Sequence, residues 1–542
     1  MNMKNLKFYF TLIALLALTM NTFAQSDIVW KKNFGGSGGD GYYSATVVSD
    51  GIVAAGISDG DSFGNGDWTG VAGKGEMDAT VVKYDNNGNV VWKKNFGGSD
   101  YEEYYSVTTV SDGVVAVGYS SVGSFGNGDW TGTSGKGNSD AIIVKYDNDG
   151  NVVWKKNFGG SGSDEFQSVT TVADGIIAVG YSYRESFGNG DWEGIAAKGN
   201  GDAIIVKYDN NGNVVWKKNF GGSNSNYYYS VTAVSDGIIA VGESDAFGDG
   251  DWEGVIGKGD YDDAIIVKYD NNGNVVWKKN FGGSGSDRFS SVMEVSDGII
   301  VVGNSYDESF GNGDWEGVTG KGNTDAIIVK YDNDGNVVWK KNFGGSDNDE
   351  FHSVTAVSDG IIAVGESFEE SFGNGDWEGV AAKGNGDAIM VKYDNNGNVV
   401  WKKNFGGIEN DWYNCVTAVS GVIVLVGASD GDSFGTGDWA EVTGKGDMDA
   451  FIVKYDNNGT AIPKLTQEAS GLTIYPNPAN DQLKIENGQL KIENIVILDV
   501  TGKIAATYSN TGATANIDVS QLHPGIYFVQ VNGKTAKLII KR

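Results

Sequence analysis

Seven Asp-Trp pairs recur along the chain, and their side chains could bind sugars. An indole face stacks on a sugar ring, while a neighbouring carboxylate accepts hydrogen bonds from its hydroxyl groups. Seven weak sites arranged in a ring would gain affinity through avidity. The candidate ligand-binding residues are Asp67, Trp68, Asp129, Trp130, Asp191, Trp192, Asp251, Trp252, Asp314, Trp315, Asp376, Trp377, Asp438 and Trp439.

The same pairs have a structural interpretation. Each pair lies in a glycine-rich loop of about 20 residues, and a loop of this length needs an anchor. A residue that recurs in every copy fits a packing contact that every copy makes. We favour a plug that fills the top of each unit, and the ligand platform stays the alternative.

Three acidic stretches resemble the beginning of a calcium-binding loop. They lack the downstream bidentate glutamate of an EF-hand, and Asp, Asn and Gly are also the residues that β-turns favour. Weak Ca²⁺ binding therefore stays an alternative, and we expect no metal site and no other cofactor. The stretches are Asp59–Asp61, Asp147–Asn151 and Asp332–Asn336.

Catalytic groups that differ from the repeated pattern are few. Arg184, Arg288, His352, Trp412 and Cys415 lie in different copies and form no recognisable triad, zinc set or nucleotide-binding loop. We therefore expect no enzymatic activity. Because carboxylates are abundant, a propeller-type polysaccharide hydrolase or lyase stays the least favoured alternative. The single cysteine excludes disulfides and is expected to be a small buried side chain.

The elements that must position these residues are copies of one unit. The string WKKNFGG occurs seven times at intervals of 62, 62, 62, 61, 62 and 62 residues, which indicates a tandem repeat. Its tryptophans, which we interpret as packing residues, are Trp30, Trp92, Trp154, Trp216, Trp277, Trp339 and Trp401.

Each repeat predicts four short antiparallel strands. In the third copy these are 152–158, 168–172, 176–180 and 203–208, and the turn Asn211-Gly212 leads into the next strand. No segment shows a helical period. Stacking such sheets around an axis buries their faces and protects their edges, which predicts an all-β, seven-bladed propeller. A linear β-solenoid is the weaker alternative.

Closure of the ring follows from the strand count. The last DAIIVKYD-type strand, 449–456, has no VVWKKNF strand after it, whereas residues 28–34 carry that strand at the other end of the chain. We predict that this N-terminal strand completes the seventh blade.

Strand order assigns the loops to two faces. The long Asp-Trp loops and the blade-to-blade crossovers share one face, called the top, and the tight SDG and DNNGN turns share the other. The copies differ mainly on the top face, where loops on a rigid frame carry recognition. The crossovers read SGGDGYY, SDYEEYY, SGSDEFQ, SNSNYYY, SGSDRFS, SDNDEFH and IENDWYN.

The termini and the charge predict an exported protein. Residues 1–24 have the layout of a secretory signal peptide, and no later segment is apolar enough for a transmembrane helix. The formal net charge of −31 disfavours nucleic acid as a partner. All four prolines follow residue 462. We therefore divide the chain into a signal peptide (1–24), a propeller (25–462), a linker (463–471) and a C-terminal domain (472–542).

Two motif sets resemble known families. The repeat motif GDW…DAIIVKYDNNGNVVWKKNFGGS…SVTTVSDGIIAVG, over about 28–456, resembles bacterial SBBP-type β-propeller repeats, which implies a fold and no activity. The tail motifs LTIYPNPA (472–479), LDVTGK (498–503), LHPGIYFV (522–529) and KLIIK (537–541) resemble the type A C-terminal sorting domain of type IX secretion substrates. That resemblance implies a small β-sandwich, outer-membrane passage through the type IX machinery, and attachment to surface lipopolysaccharide.

These observations predict a secreted or surface-attached binding protein. We expect the long-loop face to bind an extracellular glycan or protein. A structural surface or spacer protein without a specific ligand is the alternative.

Overall fold

The protein is described by a computed structural model that covers residues 27–419, 421–456 and, with gaps, 472–541. One compact unit is Ile28–Tyr455, and a second contains the C-terminal segment Asp456–Arg542. The predicted signal peptide (1–24) and linker (463–471) lie outside the described residues. Within the described part of the chain, no helix is long and apolar enough to cross a membrane.

The first unit contains seven four-stranded antiparallel sheets, which we number as blades in chain order. Blade 1 contains β2 (Asp40–Val48), β3 (Gly51–Asp59), β4 (Met77–Asp85) and β5 (Val90–Phe96). Blade 2 contains β6 (Glu102–Val110), β7 (Gly113–Ser121), β8 (Ser139–Asp147) and β9 (Val152–Phe158). Blade 3 contains β10 (Asp164–Val172), β11 (Gly175–Tyr183), β12 (Gly201–Tyr208) and β13 (Val214–Phe220).

The remaining blades repeat this order. Blade 4 contains β14 (Asn226–Val234), β15 (Gly237–Ser244), β16 (Asp263–Tyr269) and β17 (Val275–Phe281). Blade 5 contains β18 (Asp287–Val295), β19 (Gly298–Tyr306), β20 (Thr324–Tyr331) and β21 (Val337–Phe343). Blade 6 contains β22 (Asp349–Val357), β23 (Gly360–Phe368), β24 (Gly386–Tyr393) and β25 (Val399–Phe405). Blade 7 contains β26 (Asp411–Val419), β27 (Val422–Asp430), β28 (Met448–Asp456) and the N-terminal strand β1 (Asp27–Phe34).

Short 3₁₀ helices lie in the long loop that follows the second strand of each blade. They are Gly60–Ser62, Gly66–Trp68, Val122–Ser124, Gly128–Trp130, Arg184–Ser186, Gly190–Trp192, Gly250–Trp252, Asp307–Ser309, Gly313–Trp315, Glu369–Ser371, Gly375–Trp377, Gly431–Ser433 and Gly437–Trp439.

The N-terminal strand closes the ring. The strand order of blade 7 is β1-β28-β27-β26, so the first strand of the chain pairs with the last strand of the repeats. Side chains add to this closure: Asn33 Nδ2 donates to Asp449 Oδ2 (2.6 Å) and to the Thr443 carbonyl (2.9 Å). The predicted seven-bladed, closed propeller is confirmed.

The hydrophobic core lies between the blades. One cluster joins Val53, Ala79 and Phe96 of blade 1 to Tyr104 and Trp130 of blade 2. Another joins Phe34 and Val424 of blade 7 to Tyr42 and Trp68 of blade 1. Burial is the main driving force for folding, so a single blade lacks most of the apolar contacts that hold it in the ring.

The outer strands pack through their tryptophans on neighbouring turns. Trp30 Nε1 donates to the Asn86 carbonyl (3.1 Å) of the Asp85–Asn89 turn. Gly88 in this turn has φ +80°, and a Cβ there would lie 2.9 Å from the Trp30 ring. Glycine therefore satisfies both the turn conformation and the close approach of the indole. Asp85 Oδ1 accepts hydrogen bonds from the amides of Asn87 and Asn89, which completes the turn.

Each junction between blades also buries carboxyl groups. Between blades 7 and 1, Asp40 and Asp449 are both fully buried. Asp40 accepts hydrogen bonds from Gly36 N (2.9 Å) and Ser62 Oγ (2.7 Å), among others. Burial raises the pKa of Asp40, and it raises the pKa of Asp449 to about 6. The donors around each group oppose this shift, because they stabilise the ionised form.

The second unit is a small sandwich of two sheets. Its strands are β29 (Leu472–Tyr475), β30 (Gln482–Asn487), β31 (Asn494–Asp499), β32 (Ile504–Ser509), β33 (Thr514–Asp518), β34 (Gly525–Val531) and β35 (Lys534–Ile540). One sheet has the order β29-β30-β33 and the other β32-β31-β34-β35. Ile485 and Ile517 of the first sheet share one core with Ile497, Val529 and Leu538 of the second.

Deleting β1 tests the closure. Without residues 27–34, blade 7 has three strands and the junction with blade 1 loses Phe34 and its apolar contacts. We expect a fall in melting temperature of more than about 10 °C, measured by differential scanning calorimetry, because several kcal/mol of burial is lost. A variant in which residues 27–34 are moved to follow Gly459 should regain the wild-type melting temperature. A deletion variant that melts like the wild type would contradict the closed ring.

Burial of Asp263 makes the stability of the fold depend on pH, and the sign of this dependence follows from its pKa. Its Oδ1 has no hydrogen-bond partner, whereas the equivalent atom of Asp202 accepts from Gly199 N (2.8 Å). Burial raises the pKa of Asp263 to about 7. The unfolded value is about 3.9. The folded state therefore binds this proton more tightly, and the contribution of Asp263 stabilises the fold increasingly as pH falls from about 7 to about 4.

Asp263→Asn should remove that contribution. We expect the melting temperature, measured from pH 5 to 8, to rise less on acidification in Asp263→Asn than in the wild type. Asp202→Asn is the matched control and should change the slope less. Equal slopes in Asp263→Asn and the wild type would argue against a proton on this carboxyl group.

Candidate functional site

The seven loop tryptophans lie in the hydrophobic cores at the junctions between blades. Each indole has 0 % exposed surface. Trp192 Nε1 donates to Asp164 Oδ1 (3.2 Å) and contacts Ser182 Oγ (3.1 Å). Phe158 and Phe187 pack on the same ring at centroid distances of 5.0 and 4.9 Å. The indole faces are therefore covered by protein and offer no surface on which a sugar could stack.

The aspartates of the same pairs link neighbouring blades. Asp67 Oδ2 accepts from Lys445 Nζ (2.5 Å) of blade 7 and from Gly35 N (3.1 Å). The same lysine-aspartate contact is made at all seven junctions. The pairs are Lys74–Asp129, Lys136–Asp191, Lys198–Asp251, Lys258–Asp314, Lys321–Asp376, Lys383–Asp438 and Lys445–Asp67.

This placement favours the plug interpretation of the Asp-Trp pairs over the alternative of a ligand platform. The tryptophans are plugs, because their rings fill the junction cores, and the aspartates are already paired with lysines. The acidic turns show a similar use of their side chains: Asp147 Oδ1 accepts from the amides of Asp149 and Asn151. Those turn carboxylates are engaged by the turns that they form.

A different set of top-face residues breaks the sevenfold symmetry. In each first strand, the residues just before and just after a constant buried aromatic vary from blade to blade. The pairs are Gly41/Tyr43, Glu103/Tyr105, Glu165/Gln167, Tyr227/Tyr229, Arg288/Ser290, Glu350/His352 and Trp412/Asn414. Their neighbours across the strand pair are Ile57, Tyr119, Tyr181, Glu243, Asn304, Glu366 and Ala428. We call these residues the inner ring.

The backbone explains why these positions converge. The first strands of successive blades contact one another, so they are the innermost strands around the axis. Positions 41 and 43 are two apart and share one side of the strand, while Asp40 and Tyr42 are buried on the other. A β-bulge between Tyr42 and Ser44 recurs at the same place in every blade, so each inner strand is bent near its top end.

Tyrosines dominate the inner ring in blades 1 to 4. The ring centroids of Tyr43 and Tyr105 lie 5.7 Å apart between blades 1 and 2, and those of Tyr181 and Tyr227 lie 4.8 Å apart between blades 3 and 4. Their hydroxyl groups meet carboxylates: Tyr181 donates to Glu165 Oε2 (2.7 Å). Two further pairs of this kind are Tyr119–Glu103 and Tyr229–Glu243. Aromatic faces and hydrogen-bond acceptors are thus held together by direct contacts.

Charged groups dominate the inner ring in blades 5 and 6. The Arg288 guanidinium lies 3.9 Å from the centroid of the Tyr229 ring, a cation–π contact. His352 Nε2 lies 3.6 Å from Glu350 Oε2 and 3.8 Å from Glu366 Oε1. His352 Nδ1 lies 3.1 Å from the Tyr413 carbonyl of blade 7. These groups are half-buried, with 21–34 % of the histidine and glutamate side chains exposed.

Burial and neighbouring charges shift the pKa values of this cluster in opposite directions. Burial lowers the pKa of His352, but the Glu350 and Glu366 carboxylates raise it by more, so the net pKa lies above its usual value. Burial raises the pKa of Glu350, and the contacts with His352 and the charge of Arg288 reverse that shift. Glu366 keeps a raised pKa, mainly through burial.

The sequence pointed to these residues without joining them. Arg288, His352 and Trp412 stood out as unique residues, but their placement in different copies hid the fact that they share one ring. The signal was the variation inside the first strand, at two positions that flank a constant aromatic. Cys415 lies near the Ala45 carbonyl of blade 1, and burial raises the pKa of its thiol, which disfavours a reactive thiolate.

Comparison with known families identifies the tail. Residues 473–542 match the model of the secretion system C-terminal sorting domain. This confirms the resemblance predicted from the tail motifs. A domain of this class indicates export to the cell surface or secretion, and the folded sandwich of the second unit is consistent with it.

Two curated relatives align with parts of the chain. The regulatory protein FlaEY of Caulobacter vibrioides is 25 % identical over 253 residues, which cover 45 % of this chain and 24 % of that protein. An uncharacterized protein of Aquifex aeolicus is 30 % identical over 118 residues, which cover 22 % of this chain and 30 % of that protein. The chain therefore spans less than a third of the length of either relative.

Several solved structures align with the fold at low identity. The WD40 propeller domain of Doa1 aligns with 78 % of this chain and 97 % of that chain, at 12 % identity and a TM-score of 0.37. PorZ, a surface component of the type IX secretion system of Porphyromonas gingivalis, aligns with 97 % and 88 %, at 10 % identity and a TM-score of 0.25. A puromycin hydrolase aligns with 73 % and 51 %, at 12 % identity and a TM-score of 0.39.

The plug role of the tryptophans can be tested within the chain. Trp192→Phe removes the donor to Asp164, whereas Trp130 Nε1 in blade 2 has no hydrogen-bond partner. Both substitutions remove the same indole volume. We expect Trp192→Phe to lower the free energy of unfolding by about 1–3 kcal/mol more than Trp130→Phe, as measured by urea denaturation. Equal losses would show that the hydrogen bond contributes nothing to the plug.

Proposed function

We propose that this protein binds an extracellular glycan through the inner ring of its propeller, at the bacterial cell surface or after release from it. One observation carries the proposal. The seven blades repeat their cores, turns and inter-blade ion pairs almost without change, whereas the inner ring carries a different pair of side chains in each blade. A binding site is expected to combine a constant frame with a convergent set of variable polar and aromatic groups, and the inner ring has this arrangement.

The chemistry of the inner ring favours a sugar. Tyrosine rings provide apolar surface for the C–H face of a pyranose, and adjacent carboxylates accept hydrogen bonds from its hydroxyl groups. Tyr181 and Glu165 are already in contact, so both are pre-organised and lose little entropy on binding.

Charge narrows the class of glycan. The inner ring contains five carboxylates, Glu103, Glu165, Glu243, Glu350 and Glu366, against the single guanidinium of Arg288 and the imidazole of His352. With a formal net charge of −31, the chain repels polyanions. We therefore propose a neutral or amino-bearing glycan. A cationic peptide segment of a protein partner has the next best complementarity.

We propose binding without turnover. Glycoside hydrolysis needs two carboxyl groups that flank the scissile bond, one as acid and one as nucleophile or base. In the inner ring, Glu103, Glu165 and Glu243 accept hydrogen bonds from tyrosines. The imidazole of His352 lies between Glu350 and Glu366, where a substrate bond would have to enter.

Display of this site follows from the tail. The sorting domain at 473–542 supports export through a type IX route, and attachment to outer-membrane lipopolysaccharide is part of the proposal. The propeller would then be held outside the cell with its inner ring available to polysaccharides of the surroundings.

A glycan array with the purified protein tests the proposal, followed by calorimetry on any glycan retained. Tyr181→Ala and Trp412→Ala should each weaken binding by about tenfold or more, since each removes an aromatic face of the inner ring. Tyr261→Ala is the control, because this tyrosine is 62 % exposed and lies outside the inner ring. Its affinity should match the wild type.

Melting temperatures would establish that each variant is folded. Affinities that fall equally in Tyr181→Ala and Tyr261→Ala would place the ligand elsewhere on the surface. Retention of cationic peptides instead of glycans would favour a protein partner. A wild-type protein that retains neither would overturn the proposal in favour of a structural spacer.

A further inference from the structure

We propose that Glu350, His352 and Glu366 bind one divalent transition-metal ion of the zinc type in the inner ring. The proposal goes beyond glycan binding and does not depend on it, because the three ligands are assembled by the fold alone.

Two paired strands hold the three side chains. Glu350 and His352 are two residues apart on β22, at its β-bulge, and their side chains converge, with His352 Nε2 3.6 Å from Glu350 Oε2. Glu366 lies on β23 directly opposite Glu350 in the register of the pair. One donor atom from each residue lies within 4.8 Å of the other two. A site built on hydrogen-bonded strands holds its ligands more firmly than a site built on loops.

The distances fit a metal better than direct hydrogen bonds. His352 Nε2 lies 3.6 and 3.8 Å from the two carboxylate oxygens, beyond the usual hydrogen-bond range. Zinc bonds to nitrogen and oxygen are about 2.1 Å long, so two ligands of a tetrahedral ion are about 3.4 Å apart. Contraction by a few tenths of an ångström would bring His352 Nε2 to that spacing from both carboxylate oxygens, and the ligand atoms of the two glutamates lie within 4.8 Å of each other.

The histidine is oriented as a metal-binding histidine. A backbone carbonyl can only accept a hydrogen bond, so the contact of Nδ1 with the Tyr413 carbonyl (3.1 Å) places a proton on Nδ1. In the neutral ring Nε2 then carries the free lone pair, and Nε2 is the atom that faces both carboxylates. A backbone carbonyl that fixes the tautomer in this way is one of the usual outer partners of a metal-ligating histidine.

The donor set and its exposure define the ion. One imidazole and two carboxylates suit Zn²⁺ and similar divalent ions, and the two negative charges balance the ion's charge. Three protein ligands leave a coordination position for water or a hydroxyl oxygen. The side chains of His352, Glu350 and Glu366 are 23, 34 and 21 % exposed, so an ion can reach them from solvent.

Blade 3 provides a matched comparison in the same chain. At the positions of Glu350, His352 and Glu366 it has Glu165, Gln167 and Tyr181. Their mutual contacts are hydrogen bonds: both Gln167 (3.2 Å) and Tyr181 (2.7 Å) donate to Glu165 Oε2. The same frame thus carries an ordinary hydrogen-bonded set in one blade and a metal-type donor set in another.

The test is metal titration of the full protein after treatment with EDTA and dialysis, with no glycan present. We expect one equivalent of Co²⁺ to give visible d–d absorption and to be displaced by Zn²⁺. His352→Gln should weaken Zn²⁺ binding by about 100-fold and Glu366→Gln by at least about tenfold, because each removes a ligand of the ion. Glu165→Gln, the blade 3 control, should bind Zn²⁺ with the wild-type affinity.

Two results would overturn the metal site. The first is Zn²⁺ uptake that is equal in the wild type and His352→Gln, since the acidic surface would then account for it. The second is no stoichiometric uptake, with His352 titrating identically by NMR with and without Zn²⁺, which would identify the cluster as a histidine-glutamate ion pair. A glycan array repeated in EDTA distinguishes the two proposals, because metal binding and glycan binding are then measured separately.

Discussion

Burial between neighbouring blades is the constraint on which the rest of the structure depends. Each apolar cluster of the propeller takes its residues from two blades, so every blade needs a neighbour on both sides. Only a closed ring meets that requirement for all seven, and the pairing of β1 with β28 supplies the last contact. The chain has one cysteine and therefore no internal disulfide, so the energy of closure comes from burial and hydrogen bonds. The residue types at positions that face a junction can vary little between blades, whereas those of the inner ring are not restricted in this way.

The Asp-Trp pairs show how repetition and function separate in such a scaffold. Their residue types suggested sugar binding, but a residue needed at every junction is fixed by packing. Asp164 and Ser182 meet the Trp192 indole nitrogen within the blade, which explains why a buried carboxylate begins the first strand. The sequence could not decide between sugar binding and packing, because the long loop folds back over the blade. The exposure of its tryptophan depends on the path that the loop takes. The strands, their order and the closing strand were predictable, since they follow from hydrophobic pattern, turn residues and strand count.

Assembly of the Glu350–His352–Glu366 cluster shows where sequence reasoning stops. Counting outward from the Val357–Gly360 turn places Glu350 opposite Ser367. The β-bulge between Phe351 and Ser353 shifts the register by one residue and places Glu350 opposite Glu366 instead. No glycine or proline lies in the bulged segment itself, but Gly365 of the partner strand pairs with Phe351 beside it, and a Cβ there would lie 2.0 Å from the Glu350 carbonyl oxygen. This glycine permits the backbone irregularity that brings the two carboxylates and the imidazole together, and the structure gives the register that follows from it.

The asymmetry of the inner ring also changes the expected mode of binding. Seven Asp-Trp sites would have been equivalent and weak, and their strength would have come from multivalency. The inner ring has one tyrosine-rich arc, one charged sector and one tryptophan, so under the proposed function each molecule would present a single site with several different contacts. Affinity must then arise from contacts made together by one ligand, which favours a ligand large enough to span several blades near the axis. The repeated frame supplies rigidity for that site, and the sorting domain supplies export.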